Sequence, residues 1–291
     1  MQLRHLFLSL VAAATCKAVA VDRPAMCGNP APSKEYRQML AEASAAEASA
    51  STHASVEARA PRTVNTWVHI IAADQTRSGG YISRDVVNAQ MRVLNNNYAS
   101  TGYQFSLQDV SYTVDYTWSD IRTDWDLTRL KAYLRKGTYA DLNLYYFRSI
   151  TDYNTGSGLT GYCNYPANGN DYGVYNNDGC NLHVETMPGG TFSPWNQGKI
   201  TSHEVGHWFG LIHPWGDYNT GGCSGAGDQV SDTPAQYSPD YGCRVGYDSC
   251  PYSPGTDPVR NIMGYSDNSC VNEFTAGQIT RMNTMYGQYR G

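Results

Sequence analysis

Apolar side chains begin to recur with a structural period at residue 64. Residues 64–72 are β-branched and apolar, with His69 inside the run, and predict a strand. Val86, Val87, Met91 and Leu94 then recur at helical spacing. They predict a helix over 83–98, with Ser83 placed to cap it. Residues 104–113 alternate as a strand does. Residues 127–135 return to an amphipathic helical period closed by Gly137, and 142–147 form an apolar run of strand length. This order predicts an α/β (α+β) fold built on a sheet with two crossover helices.

The period is lost over 151–195, which is rich in Gly, Asn and Tyr; only 181–185 reads there as a short strand. A helix is predicted from about 197 to 209. Residues 214–260 are loop-rich, and 274–288 closes as a helix. Thr275 stands near its start, with Ile279, Met282 and Met285 along one face. Upstream, 41–60 is an Ala/Ser/Glu tract without an aromatic residue. It can form a helix after Ser33, with a face too small to bury much. Residues 21–62 therefore read as a pro-segment or linker, with a processing edge near 59–62.

Composition narrows the setting. A chain of 291 residues, 41% hydrophobic, buries a core without needing metal or disulfides merely to fold. The formal net charge of −5, with no Lys/Arg run, argues against a nucleic-acid partner. Residues 1–20 carry Arg4, an apolar run over 6–14 and the small-x-small triplet Ala18-Val19-Ala20. That run is too short to span a bilayer and reads as a cleaved secretory signal. The mature protein is thus expected outside the cell, off the membrane and monomeric. Of eight cysteines, Cys16 leaves with the signal. Six of the other seven lie beyond residue 160, and Cys27 stands alone. An odd count in a secreted chain leaves one thiol to explain.

The chemistry is concentrated in residues 203–213, His203-Glu204-Val205-Gly206-His207-Trp208-Phe209-Gly210-Leu211-Ile212-His213. On a helix, His203 and His207 sit one turn apart on one face and can share a zinc ion. Glu204, about 100° round, falls beside the metal, where it can take a proton from metal-bound water. On a continuing helix His213 would lie roughly 240° away from His207 and about 9 Å further along. It joins the others only if the chain turns back, and Gly210 permits that turn. Three neutral histidines leave a fourth position open, as in catalytic zinc sites. Chance would produce these five fixed positions about once in 10⁵ chains of this length and composition.

This extended motif resembles that of the metzincin zinc metallopeptidases, and Asn261-Ile262-Met263-Gly264-Tyr265 resembles their Met-turn. Further details resemble the pappalysin (cytophagalysin) family in its secreted microbial branch. They are Trp208, Ser231-Asp232-Thr233-Pro234, Tyr265-Ser266-Asp267 with Cys270, and Phe274-Thr275-Ala276-Gly277-Gln278. Upstream, Leu134-Arg135-Lys136-Gly137 followed by Asp141-Leu142-Asn143 fits the same branch. The likeness covers about 63–290. It implies a metzincin catalytic domain over 63–291, with a twisted, mixed but mostly parallel sheet in an upper subdomain, 63–213, and a loop-rich, disulfide-bonded lower one, 214–291, that ends in a helix.

By this resemblance His203, His207 and His213 hold zinc, Glu204 is the catalytic base, Met263 packs beneath the metal and Tyr265 steadies the oxyanion. The implied activity is hydrolysis of peptide bonds in extracellular polypeptides. An extended substrate would pair with an edge strand, for which 181–185 is the candidate. Family likeness favours Cys223–Cys250 and Cys243–Cys270, with Cys163–Cys180 as the third pair, out of 15 connectivities open to six cysteines. Cys27 could fill the open metal position as a cysteine switch, making the chain a zymogen. Asp228 and Asp232, on a glycine-rich loop, are candidate calcium ligands. Two rivals remain: a zinc-containing binding protein without proteolysis, and a peptidase of another metzincin family.

Overall fold

The computed structural model describes residues 25–51, 61–122, 124–152, 155–216 and 222–291. The signal sequence read at 1–20 and residues 59–60 of the processing edge lie outside them. The first element, α1 (Lys34–Ser51), begins where Ser33 predicted a helix, and the Ser33 hydroxyl accepts from the Tyr36 backbone amide at 3.1 Å. Then come β1 (Arg62–Ala72), α2 (Arg84–Asn97), β2 (Tyr103–Val114), a two-residue β3 (Asp120–Ile121) and α3 (Asp124–Leu134). β4 (Leu142–Phe147) keeps its predicted bounds. Ser83 stands at the N-cap of α2 but its side chain makes no capping bond; Asp85 in the first turn meets the helix dipole instead.

The segment read as loops around one strand holds more order than its composition suggested. It contributes β5 (Ser149–Ile150), β6 (Gly161–Cys163), α4 (Tyr172–Asn177) and β7 (Cys180–His183). β7 stops at His183 because its ring Nδ1 accepts the Glu185 amide at 3.1 Å, turning 184–186 into a 3-10 turn. Two helices complete the chain, α5 (Lys199–Trp208) and α6 (Ala276–Tyr289). Thr275 caps α6 reciprocally: its hydroxyl accepts from the Gln278 amide, and the Gln278 side chain accepts from the Thr275 amide.

The main sheet runs β2-β1-β4-β7-β6. Its first four strands are parallel, and β6 is antiparallel to β7. The crossover helices cover opposite faces. Val64, Val68 and Ile70 of β1 point into the larger core with Leu94 of α2 and Val205 of α5. Ile71 joins Tyr145, Phe147 and the α3 leucines on the other face. β7 has partners on both sides, so the edge strand at this end of the sheet is β6, not the 181–185 run expected to pair with substrate. A strand with both backbone edges bonded has none left for a ligand.

Disulfides join Cys163–Cys180, Cys223–Cys250 and Cys243–Cys270, the pairs favoured above. The first ties β6 to β7, and the other two close the loop-rich lower part. The expectation that residues 21–62 bury little needs correction. Tyr36, Leu40 and Ala43 of α1 are buried against Ile212 and Met285. Their stripe begins upstream of the small-residue tract, so the tract alone hid it.

Candidate active site

α5 is buried along nearly its whole length, from Ile200 to Trp208. It carries His203 and His207 one turn apart, and its C-terminal end is shaped by Gly210. That residue has φ +96°, and a Cβ there would lie 2.8 Å from the Met285 Cγ. The chain turns back through hydrogen bonds donated by the Gly210 amide to His207 O (2.9 Å) and by the Leu211 amide to Gly206 O (3.0 Å). His213 is thereby returned to the two helical histidines.

The three rings converge on one point. His203 Nε2 lies 3.2 Å from His207 Nε2 and 3.3 Å from His213 Nε2. Their orientation is set from behind. His203 Nδ1 donates to the Ile262 carbonyl and His207 Nδ1 to the Leu211 carbonyl, both at 2.8 Å. A carbonyl only accepts, so each of these Nδ1 atoms carries the proton and each Nε2 presents a lone pair. Such lone pairs facing one another at van der Waals contact repel unless a cation lies between them. The donor set therefore fits a metal ion. Burial pulls His203 down to about 4 and the other two well below the usual histidine value, which favours the neutral ligand form. His213 stacks on Trp215, with ring centroids 4.6 Å apart.

Glu204 is fully buried, and neither carboxylate oxygen has a hydrogen-bond partner among the described residues. Burial pushes it up to about 8, while the nearby Cys27 thiol pulls the other way. Met263 packs under α5, where a side chain on Gly206 would collide with its sulfur. Its turn is held by Asn261, whose Oδ1 accepts the Met263 amide at 2.9 Å and whose Nδ2 donates to the Gln278 Oε1 at 2.8 Å. The α6 capping box and the Met-turn thus share one glutamine. Tyr265 closes the site, its ring 5.0 Å from His213 and 5.8 Å from His203.

A fourth ligand-bearing group comes from far away in sequence. Cys27 Sγ is 3.5 Å from His207 Nε2, and one ligand atom from each of Cys27, His203, His207 and His213 falls within 4.8 Å of the others. Burial, and then the Glu204 charge, push the thiol up; the Asn29 backbone and the Tyr265 hydroxyl oppose them. The segment around it lies along residues 158–163, which lead into and include β6. Ala25 N donates to Gly158 O (2.8 Å), Thr160 N to Ala25 O (3.0 Å) and Gly28 N to Gly161 O (2.8 Å). The Asn29 amide side chain bonds both the N–H and the C=O of Cys163.

Asp228 and Asp232 are not gathered into such a cluster. Asp228 accepts from the Val230 amide and the Gln278 side chain, and burial raises it to about 7. Asp232 takes the Thr275 hydroxyl and the Gly277 amide at the start of α6. Among the described residues, Cys27 and the three histidines are the one group of three or more potential metal ligands.

Sequence reasoning missed a buried support beneath α5. Asp178 accepts from Arg290 at 2.8 and 2.9 Å and from the Trp208 indole at 3.0 Å, with Arg135 at 3.5 Å. Arg290 also donates to the Trp208 carbonyl. Their separation along the chain left no local signal.

Comparison with known families bears on this geometry directly. The sequence profile of peptidase family M43, described as "Pregnancy-associated plasma protein-A", matches residues 139–286, a span that contains the whole histidine motif and the Met-turn. The chain belongs to this pappalysin family of metallopeptidases. An extracellular metalloprotease of Pyricularia oryzae is 45% identical over 285 residues, covering 98% of this chain and 96% of that one. Another, from Sordaria macrospora, is 42% identical over 296 residues, with 100% and 98% covered. Mature mirolysin of Tannerella forsythia, in complex with a cleaved peptide, matches at TM-score 0.63 and 25% identity, over 78% of this chain and 92% of that one. A promirolysin mutant has the same fold at TM-score 0.67 and 23% identity, and its match extends over 91% of this chain and 94% of its own. This pappalysin is accordingly an extracellular metallopeptidase with a metzincin fold. Membership in this family removes the reading as another metzincin peptidase. No described helix is long and apolar enough to cross a membrane.

Proposed function

We propose that this pappalysin is a secreted zinc endopeptidase made in a latent form. In this reading His203, His207 and His213 hold one zinc ion, Glu204 is the general base and Tyr265 supports the oxyanion. Cys27, on a pro-segment spanning 21–62, is the fourth ligand of the latent state. The observation that carries the proposal is the convergence of the Nε2 atoms with their opposite nitrogens fixed on backbone carbonyls. Nitrogen and sulfur donors in a four-group set suit zinc better than magnesium or calcium. No calcium is assigned to Asp228 and Asp232, because each is already engaged in holding α6.

Zinc, when bound, supplies Lewis acidity at the scissile carbonyl. Glu204 accepts the proton of the attacking water and returns it to the leaving amine. Among the described residues no protein donor at hydrogen-bond distance engages its oxygens, which leaves them open to that exchange once Cys27 has left. Tyr265 donates toward the carbonyl oxygen as negative charge develops there. Substrate lies along the β6 edge by strand addition. Residues 25–29 already occupy that edge, which supports latency. The longer match to a pro-form than to a mature form is consistent with the same reading.

The test is hydrolysis of an unfolded protein by the secreted, processed enzyme. Chelation should abolish activity and added zinc should restore it. Glu204→Ala should lose roughly 10²–10⁴-fold. A processed, zinc-loaded wild type without activity would overturn the reading in favour of a binding protein.

A further inference from the structure

Residues 25–51 are held on the rest of the chain at two separate places. One is the β6 edge with Cys27 at the histidines. The other lies along α1 and involves no metal ligand. Tyr36, Leu40, Ala43 and Glu47 follow one helical stripe, at i, i+4, i+7 and i+11. Leu40 is fully buried, and Tyr36 and Ala43 nearly so. They pack on Ile212 and Met285, while the Tyr36 hydroxyl donates to the Gly210 carbonyl at 3.0 Å. At the far end, Arg281 of α6 donates to both Glu47 oxygens at 2.9 and 3.0 Å and to the Ser44 hydroxyl at 2.7 Å. Ser44 in turn donates to the Gln229 carbonyl. The Arg281 side chain is 1% exposed, so this ion pair is desolvated and its bidentate geometry is specific.

None of these contacts depends on the chain between Ser51 and Pro61. We propose that the face formed by Gly210, Ile212, Gln229, Arg281 and Met285 is a docking site for an amphipathic helix whose apolar stripe ends in a carboxylate. Its occupant is α1 itself, and the occupancy outlasts cleavage between α1 and β1. The cut segment stays in place and continues to present Cys27 to the histidines. Cleavage at the junction alone therefore does not activate the enzyme; activation requires a second event that destroys or displaces α1. This functional half rests on the reading of Cys27 given above, whereas the docking half does not.

The face also has a use after maturation. Once α1 leaves, an apolar strip with an arginine at its end is uncovered next to the turn that carries His213. The released segment is the ligand that fits it, so the same peptide should return in trans.

The experiment uses the full chain with a site-specific protease sequence inserted between residues 51 and 61. The cut protein is passed over a sizing column at about micromolar concentration, well below the millimolar effective concentration of a short tether. The α1 fragment is expected to co-elute, and hydrolysis should stay below a tenth of that reached after the fragment is removed. Co-elution should persist in Cys27→Ser, because α1 and not the thiol holds the fragment. Glu47→Gln combined with Leu40→Ala should release it on cutting. Arg281→Gln, on the opposite side of the contact, should do the same without altering α1. Separation of the fragment from the cut native chain would overturn the proposal, as would its loss in Cys27→Ser alone. A cut complex that keeps the fragment yet is fully active would support the docking face and refute the latency assigned to Cys27.

Discussion

Replacing Asp178 by alanine should be among the most damaging single changes in this enzyme, although the residue touches no ligand group. Its side chain is 1% exposed. It neutralises Arg290, whose side chain is fully buried, and lies 3.5 Å from Arg135, which is 2% exposed. It also accepts the Trp208 indole N–H. In Asp178→Ala both guanidinium groups stay buried without a carboxylate. Breaking a buried pair from one side costs about 3–5 kcal/mol. For a domain of this size that corresponds to a fall in Tm of roughly 6–20 °C. Calorimetry of the purified full chain measures it, with urea titration as a second reading. Asp178→Asn keeps an acceptor for Trp208 but not the charge, so it should fall between alanine and wild type. Activity should drop with stability, because Trp208 ends α5 two residues before Gly210. A loss below about 1 kcal/mol in Asp178→Ala would refute the reasoning, since it would mean that water readily replaces the carboxylate there.

Other expectations follow from single sites. Gly210→Ala faces both a positive φ and the Met285 side chain; it should cost about 1–3 kcal/mol and weaken metal retention, measured by metal content after dialysis. Cys27→Ala should give activity in the uncleaved chain, and equal latency of mutant and parent would remove the thiol from the account. Burial lowers His69 to about 4, so the folded state keeps this ring neutral below the pH at which the unfolded chain protonates it. Stability contributed by that neutral ring should therefore be lost as pH falls from about 6.5 to 4, by up to about 3 kcal/mol. His69→Gln should flatten this part of the stability–pH curve, and an unchanged slope would exclude His69 as its source.

How much of this could be read in advance depended on where the information lay. The strand at 142–147 is buried on both faces and is apolar or aromatic at every position but Asn143, so its bounds were legible to the residue. The α2 period was equally plain. β3, β5 and β6 were not legible, because strands of two or three residues carry no period and exist only through their partners. The edge was misplaced for the same reason. Strand character at 181–185 is local, but which strand lies outermost is a property of the pairing. The α1 face escaped notice because its stripe straddles Tyr36 and the alanine tract, and its receiving surface comes from residues 212 and 285.

The active site divides along the same line. The residues whose side chains meet at the centre were written as one spaced motif, since a helix and a glycine turn translate spacing directly into position. The groups that orient them were not. His203 and His207 are aimed by the carbonyls of Ile262 and Leu211, and any residue type could supply a carbonyl. Asp178 and Arg290 meet across 112 positions, with nothing local to mark either. Cys27 is intermediate. Its odd number flagged a thiol to explain, and only the backbone bonds of residues 25–28 to 158–161 bring it to the histidines. Spacing thus predicts a site best where one element builds it, and fails where the fold recruits backbone or distant charge to hold that element still.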